Sequence, residues 1–114
     1  MKLNKENTEH YMWSGKCDGW KLLNLGGLSV TQEKMPPCTC ETRHFHKQAR
    51  QFFFILFGTA VMELDGERFS LEPGEGIEIP PGMPHQIFNK SGENVEFLVI
   101  AHPATKDDRI DLGK

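Results

Sequence analysis

The residues of this chain best suited to chemistry fall in two short segments, His44-Phe45-His46-x4-Gln51 and Gly74-x5-Pro80-Pro81-Gly82-x2-His85-x3-Asn89. In an extended strand successive side chains alternate faces. His44 and His46 therefore point the same way, about 7 Å apart along the strand by its rise per residue. That suits two imidazoles sharing one ion. Gln51 can supply a carbonyl oxygen from the next strand, and His85, presented by a Pro/Gly turn, a third imidazole. The expected ligands are thus His44, His46, Gln51 and His85, all neutral, around one divalent metal. Imidazole with carbonyl oxygen suits iron, nickel, zinc, copper or manganese. Because binding needs neutral imidazoles, affinity is expected to fall below about pH 6.5. Two milder readings stand beside this one. The histidines can be polar residues of a metal-free cavity, and Gln51 can orient His46 or a ligand rather than touch the metal.

The elements that must position these residues are strands. Short apolar or alternating runs are separated by turn signals, with hardly any helical periodicity. Strands are expected over 20–25, 28–34, 42–46, 51–56, 60–64, 67–71, 76–79, 85–89 and 95–101. Asp65-Gly66 is a strong hairpin turn, since both residues tolerate positive φ. Many short strands so spaced favour a sandwich or closed barrel. With His44, His46 and Gln51 inward, alternation turns Phe53, Ile55 and Phe57 inward and Phe52, Phe54 and Leu56 outward. That apolar outer face needs a cover, either the segment around Trp13 and Trp20 or a second copy of the chain. Alternation also sets Glu41 on the outward face, and no other carboxylate is required to reach the cavity. His10 and His102 lie outside both segments. Lys5 to Met12 is read as a turn of helix or a flexible arm, and the charged tail from Thr105 as running over the surface or fraying.

The two segments resemble the motifs of the cupin superfamily, G-x5-H-x-H-x3-4-E-x6-G and G-x5-P-x-G-x2-H-x3-N. The second matches from Gly74 to Asn89 at every position. The first matches at His44, His46 and Gly58, with Cys38 where glycine is usual and Gln51 where the metal-binding glutamate is usual. The resemblance implies an all-β fold, a single-domain cupin jelly-roll barrel, with one divalent metal at the four residues above and a homodimer paired through its sheets. The missing glutamate leaves the charge of the ion uncompensated, so the site should prefer a small anionic ligand such as a carboxylate or enolate. It also removes a general base. A metal-dependent dioxygenase acting on a small anionic organic molecule is the leading expectation. Alternatives are a non-catalytic small-molecule or sugar-binding cupin and a non-redox isomerase.

Length and charge bound the rest. The 114 residues allow one core, divided here into an N-terminal arm (1–19), a barrel (20–104) and a polar tail (105–114). The net charge of −3 is mixed along the chain, which argues against a nucleic-acid partner. The longest apolar run, Phe52 to Phe57, is too short to span a membrane, and Met1 to His10 is polar, so a cytoplasmic protein is expected. Cys17, Cys38 and Cys40 are odd in number and read as reduced thiols. Cys38-x-Cys40-x3-His44-x-His46 is the minor alternative of a soft zinc site.

Overall fold

The computed structural model describes residues 1–105 and 107–113, and among these there are strands and no helix. No helix is long and apolar enough to cross a membrane. In chain order the strands are β1 (Glu9–Trp13), β2 (Cys17–Asn24), β3 (Ser29–Met35), β4 (Thr39–Cys40), β5 (His44–His46) and β6 (Arg50–Phe57). They continue with β7 (Ala60–Leu64), β8 (Glu67–Leu71), β9 (Gly76–Ile79), β10 (His85–Asn89), β11 (Val95–His102) and β12 (Arg109–Asp111). Two antiparallel sheets face each other, ordered β1-β2-β3-β11-β6-β9 and β12-β5-β10-β7-β8, with β4 also on β10. This is the expected jelly roll.

Turn chemistry sets the register. Asp65 and Gly66 both take positive φ, as the hairpin between β7 and β8 requires. Cys38 also adopts φ +62, the left-handed region that favours glycine, at the position where the cupin motif has one. Gly58 sits at φ +80, and a Cβ there would run into the Asn94 carbonyl. Asn89 ties the loops at one end: its amide donates to the carbonyls of Met35, Pro36 and Glu93.

The core lies between the sheets, around Phe53, Ile55, Met62, Ile79, Ile87 and Phe97, with Phe53 stacked on Phe97 at 5.6 Å. Phe57 departs from the alternation. The β6–β11 register shifts at Glu96/Phe97, so Phe57 follows Leu56 outward and is 53% exposed. Neither tryptophan supplies the expected cover for the outer face. Trp13 packs edge-on against Phe97, in the core, and Trp20 lies under the Lys5 ammonium. Phe52 and Leu56 remain 39% and 42% exposed.

Both termini differ from expectation. Lys5 to Met12 is neither helix nor arm at its second half: β1 extends the first sheet, with Tyr11 opposite Gly19. In the tail, β12 pairs with β5. The tail is held by backbone bonds and one carboxylate rather than by apolar burial, which is why hydropathy gave no sign of it. The Asp108 carboxylate accepts the N–H groups of Gln48, at 3.1 Å, and Ala49, at 2.9 Å. Of that tail, Lys106 and Lys114 lie outside the described residues.

Candidate metal centre and its cavity

His44 and His46 occupy alternate positions of β5, and His85 sits directly opposite His44 on β10. The register thus gathers three imidazoles on the inner face of one sheet. Ring centroids are 4.4 Å apart for His44 and His85 and 5.0 Å for His44 and His46. One nitrogen from each lies within 4.8 Å of those of the other two. The protein also fixes the tautomers. Nδ1 of His44 donates to the Thr42 carbonyl at 2.8 Å and Nδ1 of His85 to the Met83 carbonyl at 3.0 Å. A carbonyl only accepts, so each Nε2 carries a lone pair.

Gln51 reaches the same cavity from β6 in the facing sheet. Its Oε1, His85 Nε2 and His46 Nδ1 are buried without a hydrogen-bond partner among the described residues. The Gln51 oxygen and the His85 Nε2 lone pair are orphaned acceptors of the kind a cation site needs, since buried lone pairs otherwise go unsatisfied at a cost of about 1–3 kcal/mol each. The residues fit a divalent metal. The cysteines do not join them: Cys38 and Cys40 are exposed, and the metal-capable cluster found among the described residues consists of the three histidines.

Burial holds the imidazoles neutral. Desolvation depresses His44 to about 3 and His46 to about 4, and lowers His85 as well. The folded imidazoles resist protonation, so proton competition for them is displaced to lower pH than for a free histidine.

A correction concerns acids. Glu41 faces inward, with its Oε1 3.9 Å from His44 Nδ1 and its Oε2 accepting the Ile87 N–H at 3.0 Å. The alternation count failed because β4 ends at Cys40 and β5 begins at His44, leaving 41–43 without strand geometry. Burial, with Glu33 nearby, pushes the Glu41 carboxyl up to about 8. Glu33 lines the cavity too, on β3 after Ser29 and Thr31, and burial raises it to about 7. Its carboxylate accepts the Tyr11 hydroxyl. Arg109 of β12 and Thr105 complete the rim.

Sequence reasoning missed Tyr11, Glu33 and Arg109 as cavity residues. Ser29-Thr31-Glu33 and Val30-Gln32-Lys34 are both mixed faces, so alternation alone could not choose the inner one. Tyr11 and Arg109 belong to the terminal strands. The cavity volume is about 170 Å³.

The comparisons agree with this fold. The uncharacterized protein MJ1618 of Methanocaldococcus jannaschii is 35% identical over 75 residues, 66% of this chain and 60% of that protein. The chain spans 60% of the length of MJ1618 and 47% of that of the polyketide synthase CurC of Streptomyces cyaneus. Among solved structures, the polyketide cyclase RemF from Streptomyces resistomycificus superposes with a TM-score of 0.83 at 21% identity, covering 100% of this chain and 86% of that one. Pac13, a nucleoside dehydratase solved from Streptomyces, gives 0.84 at 16% identity over 99% and 91% of the two chains. At that identity the structures speak for the fold. The cupin-domain family model matches residues 31–101, from the strand that carries Glu33 to the end of the core, and the chain belongs to that family.

Proposed function

We propose that this protein is a divalent-metal cupin that moves protons on a compact organic molecule without consuming oxygen, as in isomerisation, dehydration or cyclisation. One observation carries the reading: His44 and His46 of the imidazole cluster and two carboxyls, Glu41 and Glu33, line the same cavity. Dioxygenation led the sequence-based expectations because no acid or base was in view. With Glu41 beside His44, that reason is gone. RemF and Pac13 are named for cyclisation and dehydration, which keeps such chemistry within the range of this fold.

His44, His46 and His85 would hold the metal, with Gln51 as fourth ligand. When bound, the ion supplies Lewis acidity toward a carboxylate, enolate or carbonyl oxygen. The chain does the rest. The carbonyls of Thr42 and Met83 aim two imidazoles, and the sheets exclude water from the inner wall. Glu41 holds or takes a proton at Oε1 while the Ile87 N–H fixes Oε2. A cavity of about 150 Å³ accommodates benzene, so about 170 Å³ limits the enclosed part of the ligand to that scale. Four neutral ligands favour an anionic group on it.

The test is a screen of small keto and hydroxy acids with metal-reconstituted protein in deuterated water, read by proton NMR beside an oxygen electrode. Deuterium incorporation or water loss without oxygen uptake is expected. Turnover that consumes oxygen would restore the dioxygenase reading, and binding without turnover would favour the binding module.

A second copy of the chain is proposed to cover Phe52, Phe54 and Leu56, whose outer face is apolar and whose first two rings stack at 6.2 Å. Sedimentation should show a dimer that Leu56→Lys dissociates; an unchanged mass would remove that interface. Three free cysteines fit a reducing, cytoplasmic compartment.

A further inference from the structure

The wall facing the imidazoles carries a construction that the metal site does not use. Tyr11 on β1, Gly19 on β2 and Glu33 on β3 share one register row, Tyr11 opposite Gly19 and Gly19 opposite Glu33. Because Gly19 has no side chain, the Tyr11 ring lies across the middle strand and its hydroxyl donates to Glu33 two strands away. A Cβ on residue 19 would overlap Tyr11 Cζ and Oη. Both partners line the cavity that also holds His44, His46 and Gln51. Glu33 keeps part of its surface open to that cavity while protein surrounds its carboxyl.

We propose that Tyr11 and Glu33 form a second polar pole of the cavity, binding a hydroxyl or carbonyl oxygen of a ligand whose anionic end lies at the imidazoles. The ligand class is therefore a compact bifunctional molecule, a hydroxy or keto acid in scale. This rests on the proposed metal-centred reading for the anionic end. Two features distinguish the pair from a strap that merely holds β1. β1 is already secured by its ladder to β2 and by Trp13, whose Nε1 donates to the Asp18 carbonyl at 2.8 Å. A strap also gains nothing from a carboxyl in a polar cavity, where desolvation makes an ionisable group costly. A hydroxyl–carboxyl pair there can donate to a ligand oxygen or accept from it, according to whether the Glu33 carboxyl is protonated or ionised.

Tyr11 is the chain's single tyrosine, so [13Cζ]-tyrosine labelling gives one resonance that reports this pole directly. Zinc-loaded protein would be titrated with glycolate, 3-hydroxypropanoate and 4-hydroxybutyrate, each against its deoxy acid: acetate, propanoate and butyrate. At least one hydroxy acid is expected to bind about 5- to 10-fold tighter than its partner, a typical net return for one hydrogen bond, and to shift the Tyr11 resonance. In Glu33→Gln and Tyr11→Phe the preference should fall within about twofold. Zinc content and affinity for the deoxy acid should hold. Deoxy acids that bind with no gain from any hydroxyl, or a gain that survives in both variants, would overturn the second pole and leave the metal reading intact. Failure of every acid to bind would overturn both.

Discussion

The two walls of the cavity were built in opposite ways. On one, His44, His46 and His85 come from adjacent strands, and their spacing along the chain is enough to place them together. On the other, Tyr11, Gly19 and Glu33 belong to three strands, with no repeated spacing, and one member contributes only the absence of a side chain. The first wall is a motif; the second is a register. Motif residues announce themselves because strand alternation and a Pro/Gly turn fix their geometry locally. Register residues acquire meaning only once the pairing of β1, β2 and β3 is known.

The sharpest way to break this contrast is to remove an imidazole. His85→Ala should lower metal affinity by at least about 100-fold, since three imidazoles become two. The fold should survive, because the turn before β10 rests on Pro80-Pro81-Gly82. Competition with a chromogenic chelator measures the affinity, and an unchanged value would take His85 out of the site.

Next in size is acid. Unfolded imidazoles titrate near 6.5, whereas folded His44 and His46 titrate near 3 and 4. Between those values the unfolded chain binds protons that the folded chain refuses. The imidazole contribution to the stability of the metal-free protein is therefore full above pH 6.5 and is lost as pH falls toward 4, by on the order of a few kcal/mol, while the raised carboxyls of Glu33 and Glu41 contribute in the opposite sense. Urea titrations at pH 7.5, 6 and 5 on the metal-free Glu33→Gln/Glu41→Gln variant, which removes the opposing carboxyls, check the direction. A metal-free variant as stable at pH 5 as at 7.5 would mean that the imidazoles are not desolvated as the structure has them.

The opposite wall is probed by Gly19→Ala. Overlap with the Tyr11 ring should cost about 1–3 kcal/mol and displace the Tyr11 resonance, with metal affinity unchanged. If Tyr11 stays in place, the glycine is not what lets it cross β2. The smallest expected effect is at the seam between walls. Gln51→Glu adds a negative charge beside the ion and should tighten metal about tenfold while weakening acetate binding. Tighter acetate binding in that variant would refute the charge argument.

How much of this was legible in the sequence follows the same division. The interior strands were readable because apolar alternation and turn residues such as Asp65-Gly66 act over a few residues. β7 to β10 lie where expected. β1 and β12 were not readable, since neither carries an apolar stripe and both are held by edge pairing. For the centre, the three histidines named from spacing do cluster, and Gln51 lines the cavity beside His44 and His46 from the other sheet. Glu41 was misjudged because alternation was carried through a segment that is not a strand. Phe57 was misjudged because one bulge reverses every face beyond it.

The tail bears on the spacing across the cavity. The Asp108 carboxylate closes the loop at Gln48 and Ala49, the link between His46 on one sheet and Gln51 on the other, from 60 and 59 positions downstream. The spacing of His46 and Gln51 is thus set in part by a contact about 60 residues away along the chain. The loop between His46 and Gln51 owes its shape to a residue remote in sequence, and the geometry across the cavity depends on residues 107–111 being docked.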